Sequence, residues 1–115
     1  MTEENGTLSP LARPGQLAGL LDIQEGSVVS RTLVKKPTGT ITLFAFDAGE
    51  GLSEHSTPHD AVVQGLEGSL EVTIGGDPHR VGIGDALLLP ANVPHALKAE
   101  TPVKMLLTMI RDTAE

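Results

Sequence analysis

The chain has 115 residues and a net charge of −7, from eight Lys and Arg against fifteen Asp and Glu. That length suits one domain with one modest core, and an acidic surface without a Lys/Arg cluster argues against nucleic acid or an anionic membrane as partner. The absence of cysteine excludes disulfides, thiolate metal ligands and a cysteine nucleophile.

Only Phe44 and Phe46 are aromatic, so the core is expected to be aliphatic. Thirteen glycines and eight prolines, spread along the chain, predict many turns between short elements. The N-terminal "MTEENGTLSP" is acidic and polar and lacks the basic and apolar regions of a secretory signal. No apolar stretch approaches the roughly 18–20 residues that cross a bilayer. A soluble, cytoplasmic protein is expected.

Residues 1–14 are expected to form a flexible arm, and residues 15–115 a single domain. In "GQLAGLLDI" (15–23), Leu17, Leu20 and Leu21 have the i, i+3, i+4 spacing of a helical stripe, which predicts one short helix ending at Gly26. From there the period becomes two. "SVVSRTLV" (27–34) is rich in β-branched residues and stops before Pro37, and "TITLFAF" (40–46) has apolar residues on both faces, as in a buried strand. "DAGEG" (47–51) is a turn, and "AVVQGLE" (61–67) a strand with a glycine inside it. "SLEVTI" (69–74) alternates, with Leu70, Val72 and Ile74 on the inner face, and "GGDP" (75–78) makes a hairpin. "HRVGI" and "ALLL" follow around the turn "GIGD", and "HALKAE" and "VKMLLTMI" complete the pattern. Short strands joined by glycine turns predict an all-β, antiparallel barrel or sandwich.

Three of the four histidines fall in two proline-bearing stretches, "EHSTPH" (54–59) and "PANVPH" (90–95). Around them the chain resembles the cupin superfamily, small jelly-roll β-barrels also described as a double-stranded β-helix. The family's first motif begins at Gly49, whose His-x-His positions hold His55 and Thr57, whose Glu position holds Ala61, and which closes at Gly68. The second begins at Gly84 and continues through Pro90; Asn92 replaces a Gly, His95 is in place, and Ala99 replaces an Asn. The turn skeleton is kept while the ligand set is reduced. The resemblance spans roughly residues 40–110, and its tail is similar to those of single-domain bacterial cupins of poorly defined function.

The resemblance implies one divalent transition metal ion (Zn, Ni, Fe or Mn) at the barrel mouth. Of the positions carried over, only His55 and His95 can ligate, and catalytic centres usually have three protein ligands. His59 is the candidate third: it shares parity with His55, and Thr57-Pro58 offers the bend needed to bring both to one ion. Gln64 is a candidate fourth ligand or substrate-orienting residue. It has the opposite parity, but the adjacent Gly65 could mark a bulge that re-aims it. The alternative is that His55 and His95 are neutral, hydrogen-bonded imidazoles kept for packing, with His59 solvated. His79 is expected to be an exposed turn residue. No GxSxG elbow or phosphate loop is present.

Two functions follow. One is a mononuclear metal enzyme of dioxygenase, isomerase or lyase type acting on a small polar metabolite. The other is a non-catalytic, small-ligand-binding or regulatory barrel. A homodimer is expected on either reading, because "TITLFAF" and "KMLLTMI" carry more apolar residues than one barrel interior covers.

Overall fold

A computed structural model describes residues 10–111. Nine strands make up its framework: β1 Val28–Lys36, β2 Gly39–Phe46, β3 Gly51–His55, β4 Asp60–Glu67, β5 Leu70–Ile74, β6 Asp77–Val81, β7 Ala86–Leu89, β8 His95–Ala99 and β9 Val103–Ile110. They form two antiparallel sheets, a five-stranded one ordered β1-β2-β9-β4-β7 and a four-stranded one ordered β3-β8-β5-β6. This is the expected all-β jelly roll.

The alternation in the sequence sets which face is buried. Ala61 and Val63 of β4, Leu70 and Val72 of β5, Leu97 and Ala99 of β8, and Val103 and Met105 of β9 meet between the sheets. Phe46 joins them, its ring 5.9 Å from that of Phe44. Fully burying a side chain such as Phe46, Leu70 or Met105 contributes about 1.5–3 kcal/mol each. The β5–β6 hairpin is tighter than the expected four-residue turn. Ile74 pairs with Asp77, and Gly75 and Gly76, at φ 56° and 90°, make a two-residue loop. Strand β6 therefore starts at Asp77 and carries Pro78, which an edge strand tolerates because its N–H side needs no partner.

The expected N-terminal helix is only a 3-10 turn, Leu17–Leu20, and Leu21 after it is extended. Its carbonyls are taken by the sheet below instead of by later amides. Lys104 Nζ donates to Ala18 O at 2.6 Å, and Arg31 Nη1 donates to Leu20 O at 2.8 Å. The turn thus lies as a strap over the outer face of the large sheet, where Leu43 and Ala45 are fully buried. Of the expected N-terminal arm, residues 1–9 lie outside the described residues; Pro10–Ala12 is a 3-10 turn with no buried residue. Among the described residues, no helix is long and apolar enough to cross a membrane.

Candidate functional site

Strands β3 and β8 carry the site. Their pairing sets Gly51 opposite Lys98, Leu52 opposite Leu97 and His55 opposite His95, with a bulge between Leu52 and His55. Strict alternation would put Leu52 and His55 on opposite faces. The extra residue in β3 returns His55 to the face that Leu52 packs inward. On β8, His95 alternates with buried Leu97 and Ala99 and is itself 6% exposed. The two rings meet edge to face, with centroids 4.4 Å apart and planes at 69°. His55 is exposed, so the pair stands where the barrel interior opens to solvent.

Both rings are oriented by the same local device. His55 Nδ1 lies 2.9 Å from Ser53 O, and His95 Nδ1 lies 3.3 Å from Val93 O. A carbonyl oxygen only accepts, so each Nδ1 carries a proton, and in the neutral ring it is Nε2 that keeps the lone pair. A metal-ligating imidazole commonly has this arrangement, one nitrogen fixed by a carbonyl and the other free to coordinate.

Burial pushes the pKa of His95 below that of an ordinary imidazole, and the neighbouring His55 pushes it the same way against the pull of the Val93 carbonyl. The folded protein therefore holds His95 neutral, the ligating form. Since the unfolded chain takes up this proton more readily, the stability is fully present above an unfolded pKa of about 6.5. It is lost as pH falls through the lower, folded value. Thermal melts of metal-free protein from about pH 8 down to about pH 5 should show a falling Tm that sets in near the ordinary imidazole pKa. His95→Gln should flatten that part of the profile; an unchanged slope would refute the assignment to His95.

A clasp joins the two histidine-bearing stretches. Asn92 N donates to Thr57 O at 2.7 Å, and Ala91 N donates to Asp60 Oδ1 at 2.8 Å. Thr57 Oγ1 donates to His59 O at 3.1 Å and accepts from His59 N at 3.3 Å, so its hydroxyl is occupied.

Of the three expected histidine ligands, the structure brings two together. Among the described residues, no three His, Cys, Asp or Glu side chains gather closely enough to hold a metal ion. His59, in the loop between β3 and β4, thus stands apart from the pair; its Nδ1 is buried without a hydrogen-bond partner. Gln64 is not at the mouth. It is exposed on the outer face of β4, on the opposite side from buried Ala61 and Val63. The bulge in β4 exists but falls between Gly65 and Glu67, after Gln64, so it does not re-aim that side chain. Gly65 is there for close approach, since a Cβ would strike the Gly82 carbonyl in the β6–β7 turn. His79 is exposed, on β6 instead of in the turn.

The cupin domain model matches residues 42–110. The chain belongs to the cupin family. A conserved protein of unknown function from Streptococcus pyogenes is 37% identical, with 90% of each chain covered and a TM-score of 0.85. A cupin superfamily protein from Desulfitobacterium hafniense is 30% identical over 92% of this chain and 97% of its own, with a TM-score of 0.85. A cupin 2 conserved barrel domain protein from Leptotrichia buccalis is 42% identical over 82% of this cupin, with a TM-score of 0.79. This cupin spans about half of that protein's length, the covered share being 46%. No curated protein matches.

The family's turn positions behave as the motifs imply. Gly49, Gly68, Gly84 and Asn92 all have left-handed φ, at 84°, 78°, 86° and 66°. At the family's Glu position, Ala61 is 7% exposed and packs into the core. Three contributors to this cupin's site are not evident from residue type: the Ser53 and Val93 carbonyls and the Asp60 carboxylate. The one available signal is that each carbonyl lies two residues before its histidine.

Proposed function

We propose that this cupin holds one divalent transition metal ion (Zn, Ni, Fe or Mn) at His55 and His95, with His59 as third ligand, and acts on a small polar metabolite. The observation that carries this reading is the facing imidazole pair with both Nδ1–H groups committed to carbonyls. Two donors of such a site are in place, the His55 and His95 imidazoles with their Nδ1–H groups on carbonyls; His59, whose buried Nδ1 has no partner, stands apart from them, so its ligation requires the 56–59 loop to bring it to the pair. When bound, the ion would supply Lewis acidity toward a carbonyl or carboxylate oxygen of the metabolite, in chemistry of dioxygenase, isomerase or lyase type. The chain's own part is to keep His95 neutral, to fix both ring orientations, and to back the mouth with aliphatic walls that exclude water. Metal analysis of untagged protein should find about one ion per chain, in line with a mononuclear site. Protein that stays metal-free after equilibration with each of the four ions would overturn the reading.

A second reading, a non-catalytic ligand-binding or regulatory barrel, is favoured by two observations. Ala61 occupies the family's Glu position as a core residue, and the Thr57 hydroxyl is spent on the backbone of His59. A loaded protein without turnover on carbonyl and carboxylate metabolites would select it.

We also propose a two-fold homodimer in the cytoplasm, a setting that suits a chain without cysteine. On the outer face of the large sheet, Val34, Ile41, Thr108, Val62 and Leu88 form a row across all five strands. Leu88 is 52% exposed, and Ile110 on the same face is 58% exposed. A second copy laid on this row would cover the apolar surface that the strap leaves open. Sedimentation at micromolar concentration should give twice the chain mass, and Leu88→Lys/Ile110→Lys should give the monomer. A monomeric wild type would end this proposal.

A further inference from the structure

We propose that Asp60 is a positioning residue that sets the placement of the His95 ring against His55 by holding the turn before β8. The turn 90–94 has no regular structure of its own. Three hydrogen bonds tie it to neighbouring segments: its own Ala91 N donates to Asp60 Oδ1 and its Asn92 N to Thr57 O, while Gly75 N donates to Pro94 O. The first is the only one of the three that depends on a side chain, and it is charge-assisted, hence stronger than a neutral bond. Two residues beyond Ala91, the Val93 carbonyl takes the Nδ1 proton of His95. A force on Ala91 therefore passes through Val93 to the imidazole. The other end of the clasp is equally close to chemistry, since Asp60 opens β4 directly after the loop that carries His59. The bond thus joins the two stretches that hold all three proposed ligands, and it gives the acidic residue beside His59 a role of its own.

The consequence for metal rests on the reading given above, but the geometric claim is testable without metal. The measurement is the ring-to-ring nuclear Overhauser contact between His55 and His95 in metal-free protein, read together with exchange of the Ala91 amide. Asp60→Ala should accelerate Ala91 exchange and weaken the ring contact. Asp60→Asn, which keeps an oxygen at the same reach, should restore both. If Asp60→Ala fails to fold, Asp60→Glu, which displaces the carboxylate by one methylene, should give the same loss of ring contact. Faster Ala91 exchange with an unaltered ring contact would mean that Asp60 only fastens the turn, and would overturn the proposal. In zinc titrations, Asp60→Ala should bind roughly 10-fold more weakly than wild type, the scale of losing a ligand-orienting group. A wild type that takes up no zinc would count against the proposed function alone, because the ring contact is read without metal.

Discussion

Gly68→Ala is expected to destabilise the fold by about 2–4 kcal/mol, the sum of left-handed strain and overpacking. Gly68 sits at φ 78°, between the end of β4 in the large sheet and the start of β5 in the small one. Thr101-Pro102 makes the return crossing, from β8 to β9. The two crossings touch backbone to backbone: a Cβ on residue 68 would meet the Pro102 carbonyl oxygen and carbon and Thr101 Oγ1. Two of these are backbone atoms, and the third, Thr101 Oγ1, is already held as acceptor by Ser69 N at 2.9 Å. Relief would require one crossing to shift, and with it the bonds that join the sheets. Gly49 isolates the two causes. Its φ is 84°, yet nothing lies within 4 Å of a Cβ added there. Gly49→Ala should therefore cost only the conformational part, about 1 kcal/mol. Urea unfolding of the two variants should give midpoints well separated from each other at equal slope. Equal losses would show that the contact with Pro102 is not felt. Against a total of about 5–15 kcal/mol for a domain of this kind, the larger loss brings Gly68→Ala near the limit of folding.

The contrast between these glycines also shows what the sequence makes legible. Residues whose side chains alternate on a regular strand were readable: Leu70, Val72 and Ile74 are on the inner face of β5, as their period of two requires. Positions where φ is positive were readable too, because only Gly and Asn sit there without strain, and they punctuate the chain at Gly49, Gly68, Gly84 and Asn92. What was not legible depends on tertiary partners. The spacing of Leu17, Leu20 and Leu21 suits a helix, but Lys104 and Arg31, distant in sequence, take the carbonyls a helix would use. Strand β3 is not marked in the sequence, because the bulge after Leu52 breaks the alternation that identifies a strand. The same bulge brings His55 to His95, so the feature that hides the element is the one that builds the site. Gly65 signalled an irregularity in β4, but the sequence could not say on which side of it the bulge lies, nor that the β6–β7 turn comes so close. The pairing of His55 with His95 was foreshadowed by the motifs, while nothing in residue type or spacing shows that His59 stands apart from that pair.

His55→Ala/His95→Ala is expected to take the metal content from about one ion per chain, the stoichiometry of a mononuclear site, to none. An imidazole pair supplies both of the donors that the structure brings together, and His59 alone offers one nitrogen, too few to retain a divalent ion through purification. The single changes separate folding from binding. His55 is exposed at the rim, so His55→Ala should leave the thermal midpoint almost unchanged and still empty the site. His95 is 6% exposed among core side chains, so His95→Ala should lower stability by about 1–3 kcal/mol as well, through the cavity it leaves. His59→Ala should weaken retention at limiting metal without changing the ring pair, because its buried Nδ1 has no partner to lose. His79→Ala, exposed on β6, is the control and should alter neither property. Full metal retention in the folded double variant would place the ion elsewhere and remove the pair from the function proposed for it. Loss of metal in His55→Ala at unchanged stability would tie the ion to the imidazole that the β3 bulge turns inward.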